Sequence, residues 1–263
     1  MTTSPTPDWP ALLKTWDQQQ SGYLRHREHR FNVVLDALST MEPAPTRILD
    51  LGCGPGSFAA RLIDRFDTAH VVALDNDPVL LHVGRAALGD GDGRLSFVDA
   101  DLRTTGWETQ WEEHGFDAVV SSTALHWLGP AQLASVYQAL GRITRTGGRF
   151  FNADNLAYDR QLPTFTALAA EAINRHTADA FADSGTPDWD TWWADVLALP
   201  ELNDARVERT RRAARRQSEV GDHSPLTRLT SEVMHTAALR EAGFREVGTI
   251  WQDHDDRVLL GIR

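Results

Sequence analysis

Residues 47–56 read Arg-Ile-Leu-Asp-Leu-Gly-Cys-Gly-Pro-Gly, an apolar strand running straight into an acidic residue and three alternate glycines. Glycine at 52, 54 and 56 removes the side chains that would keep a backbone turn from pressing against a ligand, and Ser57 to Phe66 then reads as a helix. The spacing narrows the ligand. A dinucleotide fingerprint needs Gly-x-Gly-x-x-Gly so that a pyrophosphate can sit on the helix N-terminus. Here Asp50 precedes the first glycine. A carboxylate at that point repels a pyrophosphate and suits a ligand with positive charge, such as an amino-acid ammonium group.

The rest of the chain supplies a sheet for this loop. Short apolar runs at Arg47–Leu51, Val71–Asp75, Arg94–Val98, Phe116–Ser121 and Gly148–Ala153 alternate with helical patterns. That alternation predicts a doubly wound, mostly parallel α/β sheet. Two closely spaced strands, Arg245–Gln252 and Arg257–Ile262, are expected to form an antiparallel hairpin at its end. Residues 11–40 read as helix from apolar positions recurring three and four apart. The stretch from Asp154 to about Ser224 is polar, punctuated by proline and tryptophan, and without a strand signal. It reads as a helical insertion after the fifth strand, covering the edge where ligands bind in open α/β sheets. The expected division is an N-terminal helical cap at 1–45, a core at 46–155 and 225–263, and an insertion at 156–224.

A chain of 263 residues with 41% apolar content fits one large domain with a cap. The net charge of −11 opposes binding to nucleic acid or anionic membrane, both polyanions. One cysteine, Cys53, excludes an intramolecular disulfide and a cysteine-based zinc site. The histidines show no metal-ligand spacing with acids, so no metal is expected. No run reaches the ~20 apolar residues of a membrane span, and the first ten residues lack a signal-peptide pattern. A soluble cytoplasmic protein is the expectation. Oligomeric state is not readable.

Candidate site residues follow the strand ends. Asp75, with Asn76 beside it, ends the second strand, where an acid hydrogen-bonds ribose hydroxyls; Asp77 before Pro78 suits a helix cap. His126 lies just beyond the fourth strand. It reads either as a base for a hydroxyl or amine acceptor or as packing. Thr146-Gly147-Gly148 is expected to be a left-handed turn before the fifth strand. The arginines at 206, 209, 211, 212, 215 and 216 would attract an anion or line a solvated helix face. Trp189, Trp192 and Trp193 read as core or as an aromatic wall of a pocket.

The Asp50-x-Gly52-x-Gly54-x-Gly56 run resembles the first motif of the class I S-adenosylmethionine-dependent methyltransferases, and the hairpin ending resembles their Rossmann-like sheet with an antiparallel last strand. The resemblance implies S-adenosyl-L-methionine as cofactor. It implies that Asp101-Leu102 holds the adenine, with Asp99 as the rival placement, and that Ser121 and Ser122 face the methionyl part. It also implies an N-terminal section folded over the cofactor, with Tyr23 or Arg27 in contact, although a solvated helix face explains that charge run too. Leu125-His126-Trp127-Leu128 is similar to the pattern of trans-aconitate and juvenile hormone acid methyltransferases. The function implied is methyl transfer to a small-molecule acceptor, a carboxylate or hydroxyl oxygen first. N- or C-methylation, a cofactor-binding protein without transferase activity, nucleic-acid or protein methylation, and an NAD-type oxidoreductase are the alternatives.

Overall fold

In the computed structural model, residues 6–182, 185–220 and 230–263 are described, with the side chains of 216–220 left aside. The expected boundary at 224/225 lies outside them. Each helix start carries its chemical reason. Asp8 accepts from the Ala11 N–H at 3.0 Å and Pro10 occupies the first turn of α1 (Trp9–Tyr23). Asp77 caps α4 (Pro78–Leu88) through the N–H groups of Val79 and Leu80. Ser231 caps α9 (Glu232–Glu241).

The helix expected over 11–40 is two helices. Leu24 is extended, so α1 ends at Tyr23 and α2 spans Arg27–Leu38. Gly22 prepares the break, being a poor helix former, and it is buried because a Cβ there would meet the Phe181 ring at 2.5 Å. Helix α6 (Pro163–Ala182) therefore packs closely on α1 at this point.

The sheet contains β1 (Arg47–Leu51), β2 (His70–Asp75), β3 (Leu95–Asp99), β4 (Phe116–Ser122), β5 (Thr144–Asn155), β6 (Glu246–Asp253) and β7 (Asp256–Ile262). Its order is β3-β2-β1-β4-β5-β7-β6, with β1 to β5 parallel and β7 antiparallel to both neighbours. β5 begins earlier than expected. Gly147 adopts φ +79, but within the strand, where the β4–β5 register shifts, rather than in a turn before it.

The central strands are apolar on both sides because helices cover both faces. One core layer gathers Leu49, Val119 and Phe150 with Leu133 and Leu140 of α5 (Pro130–Ile143) and Leu239 of α9. The opposite layer sets Ile48, Val71 and Val120 against Phe31 and Val34 of α2 and Phe58 and Leu62 of α3 (Ser57–Arg65). After β5 come α6, α7 (Trp189–Leu197) and α8 (Asn203–Val220), and a third cluster joins Trp192, Trp193 and Val196 to Trp16 of α1 and Leu80 of α4. β1 connects outward to β2 on one side while its other neighbour is β4. This reversal of strand order opens a crevice at the strands' C-terminal ends.

Candidate active site

That crevice is a cavity of about 590 Å³, within the ~300–1,000 Å³ of small-molecule sites. The glycine loop forms its floor. Gly52 takes φ +73, and its N–H and that of Cys53 donate to the Leu74 carbonyl at 2.8 and 2.9 Å, which ties the loop to the end of β2. Both Gly52 and Gly54 face the cavity. Gly56 does not: it caps α3 at φ +87, and a Cβ there would strike the Phe97 ring at 2.9 Å. Its role is helix–strand packing.

Asp50 is 1% exposed yet lines the cavity, and its Oδ2 has no hydrogen-bond partner. Burial pushes its carboxyl up to about 7, and the neighbouring charge of Asp75 adds to this. An orphaned acceptor in such a place fits a cationic donor, because an ammonium group would supply both the missing hydrogen bond and the missing charge. Asp75 lines the cavity too and accepts from the N–H groups of Gly54 and Asp77, each at 2.8 Å. Burial raises its carboxyl despite those bonds. Asn76, Asp101 and Leu102 complete this side. Arg103 grips Asp101 at 2.8 Å through Nε and again through Nη2; burial pushes the Asp101 carboxyl up, but Arg103 outweighs it and holds the group below its ordinary range.

The rival, Asp99, points elsewhere. Arg212 of α8 takes both its oxygens at 2.7 and 2.9 Å and also donates to the Asn76 carbonyl at 2.8 Å. Arg209 pairs with Asp77 at 2.7 Å, lies 3.8 Å over the Trp193 ring and reaches the cavity. These two arginines are thus neither free anion binders nor a purely solvated face: they pin α8 across the ends of β2 and β3. Trp192 is core, whereas Trp189 and Trp193 line the cavity with Trp16.

Two further expected residues sit outside. Ser121 is fully buried and donates to the Leu51 carbonyl at 2.8 Å, fastening β4 to β1; Ser122 and Thr123 face the cavity instead. Period-two alternation along the strand decides which serine turns inward. Tyr23 packs on Phe181 with ring centroids 4.8 Å apart, and its hydroxyl accepts from the Trp189 N–H at 3.0 Å. Arg27 does reach the cavity, 6% exposed and paired with Asp17 at 2.9 Å; burial lowers its pKa.

His126 sits on a single 3-10 turn, Leu125–Trp127, and lines the cavity. Its Nδ1 meets Asp154 Oδ1 at 2.8 Å, and its backbone N–H donates to Oδ2 at 3.1 Å. Burial lowers the imidazole pKa, Asp154 raises it by more, and the net direction is upward. With Nδ1 engaged, Nε2 is the ring nitrogen left for a ligand. Asp154, fully buried near the end of β5, was not singled out from the sequence; its signal is an acid closing the strand segment Phe-Phe-Asn-Ala at 150–153. Arg30 and Thr123 were missed as well. Arg30 is fully buried and donates to Thr123 Oγ1 and Asp256 Oδ1, each at 2.8 Å, which anchors Thr123 at the unusual φ of +56. Among the described residues, no three His, Cys, Asp or Glu side chains converge to hold a metal ion.

Residues 48–148 match the family model described as a methyltransferase domain, which covers the glycine loop, both acidic strand ends and His126. Over these residues the chain is a methyltransferase domain. Two similar proteins are trans-aconitate 2-methyltransferases. That of Streptomyces avermitilis is 39% identical over 124 residues, 45% of this chain and 44% of that protein. That of Methylobacterium radiotolerans is 35% identical over 179 residues, 67% of this chain and 60% of that protein. The chain spans less than half the length of the first curated relatives it matches. Two solved structures share this fold: an O-methyltransferase family protein from Burkholderia thailandensis, with TM-score 0.56, 16% identity, 88% of this chain and 55% of that one; and DesVI of Streptomyces venezuelae, with TM-score 0.55, 13% identity, 95% of this chain and 97% of that one.

Proposed function

We propose that this protein transfers the methyl group of S-adenosyl-L-methionine to an oxygen of a small-molecule acceptor, a carboxylate first and a hydroxyl second. The observation that carries the reading is the convergence, in one cavity, of an orphaned buried carboxylate at Asp50, an open glycine loop and the acids that end β2 and follow β3. Asp50 would hold the ammonium group, Asp75 and Asn76 the ribose, and Asp101 with the Leu102 backbone the adenine. Bound there, the cofactor supplies an electrophilic methyl on a sulfonium. The protein's part is approach geometry, exclusion of water and control of one proton.

His126 is the group placed to do the last. Held by Asp154 through Nδ1, it presents Nε2 to the acceptor. As an imidazolium it donates to a carboxylate; as a neutral ring it accepts the proton of a hydroxyl. Carboxylate methylation is supported by the names of the relatives, trans-aconitate 2-methyltransferases. The segment 156–224 is read as the cover of the acceptor side, because Trp189, Trp193 and Arg209 reach the cavity from it. Nucleic acid is not expected as a partner, since the net charge of −11 repels it. The test is S-adenosylhomocysteine formation across a panel of acids and phenols. Cofactor binding without product from any acceptor would leave a cofactor-binding protein and no transferase.

A further inference from the structure

The identity of the acceptor can be narrowed by charge, on the basis of the methyl-transfer reading above. Three arginines, Arg27, Arg103 and Arg209, reach the cavity, and each is already held by a carboxylate: Asp17, Asp101 and Asp77 respectively. Asp50 and Asp75 add negative charge to the same lining. Among the described residues the cavity therefore carries no surplus of cationic groups. A polycarboxylate entering it would leave solvent with several charges and meet one further group able to carry positive charge, the His126 ring, whose Nδ1 is held by Asp154; the unpartnered Ser57 Oγ and Trp193 Nε1 in the lining are neutral donors. The remaining surface is aromatic. Trp127 is 56% exposed, and its ring centroid lies 5.0 Å from that of His126, so a body attached to an acid at Nε2 would meet it directly. Leu128 and Trp189 extend this apolar lining.

We infer that the acceptor is a monoacid with an apolar or planar body, its carboxylate held by the His126 imidazolium and its body against Trp127, and that polycarboxylates such as aconitate are rejected. The transfer then balances simply. One carboxylate oxygen forms the new O–CH3 bond, the S–CH3 bond breaks, its electron pair returns to sulfur to give the neutral thioether, and the product is a methyl ester. The proton on His126 stays in place throughout.

The test is calorimetric titration of the full chain with trans-cinnamate, indole-3-acetate, octanoate and trans-aconitate. It is run with and without saturating S-adenosylhomocysteine. The tightest monoacid should bind at least tenfold more strongly than trans-aconitate, and Trp127→Ala should weaken it at least fivefold. Equal or tighter binding of trans-aconitate, or no binding by any monoacid, overturns the inference. Failure of the methyl-transfer reading registers separately, as no binding of S-adenosylhomocysteine, and the titrations without it still report the acceptor preference.

Discussion

At the scale of single residues, the site depends on a few atoms with no slack. A Cβ on Gly52 would lie 2.4 Å from that of Ala124 and would have to accept φ +73, so Gly52→Ala must move the β4 exit or unfold the loop. We expect a loss of at least ~2 kcal/mol in urea denaturation, the sum of backbone strain and overpacking. Asp75→Ala removes two acceptors of backbone N–H groups as well as the proposed ribose contact. Cofactor affinity should fall at least tenfold by calorimetry, and equal affinity would remove Asp75 from the binding set. For His126 the sign of the pH dependence separates its two roles. Asp154 raises the imidazole pKa above the ordinary 6.5, so the imidazolium persists to a higher pH and is lost as pH rises through the raised value. A carboxylate acceptor should then show KM rising on the alkaline side, whereas a hydroxyl acceptor should show kcat rising over the same range. Asp154→Asn should move either limb toward lower pH. A limb that stays in place would mean that His126 does not govern it. His126 was legible in the sequence because it follows a strand. Its partner was not, because 28 residues separate it from Asp154 and only the pairing of β4 with β5 brings them together.

At the scale of elements, α8 shows how a charged helix can be misread. Its arginine run is consistent with solvation or with an anion site, and the structure instead spends Arg209 on Asp77 and Arg212 on Asp99 and the Asn76 carbonyl. Both pairs are partly exposed, so each contributes only ~0.2–1 kcal/mol to folding. Their greater effect should be on the loops they hold. The double variant Arg209→Gln, Arg212→Gln should keep its melting temperature within a few degrees while S-adenosylhomocysteine dissociates severalfold faster in stopped-flow; an unchanged rate would show that α8 does not secure the nucleoside end. The strands were readable to within a few residues because each is a short apolar run with a turn signal at its end. The break between α1 and α2 was not, since the apolar periodicity continues across it and the weakness at Gly22 matters only once Phe181 packs there. Ser121 and Ser122 look alike in sequence; the pleat of β4 sends one to the Leu51 carbonyl and the other to the cavity.

At the scale of the whole molecule, a ligand that binds only the folded state should stabilise all of it. With S-adenosylmethionine at a hundred times its Kd, linkage predicts ~2.7 kcal/mol, or roughly 5–10 °C in melting temperature for a chain of this size. NAD should give no shift, because Asp50 stands where a pyrophosphate would need neutral surroundings. A shift with NAD alone would overturn the cofactor assignment. The alternation of apolar strands and amphipathic helices determined the doubly wound class, and the acid before three glycines determined the kind of ligand the first turn can face, because both are local patterns of spacing and charge. The order of strands, the inward serine, the pairing of His126 with Asp154 and the pairing of Arg209 with Asp77 and of Arg212 with Asp99 were decided by tertiary structure alone. Each depends on groups far apart in the chain coming within hydrogen-bond distance, and no local pattern encodes which carboxylate an arginine will meet.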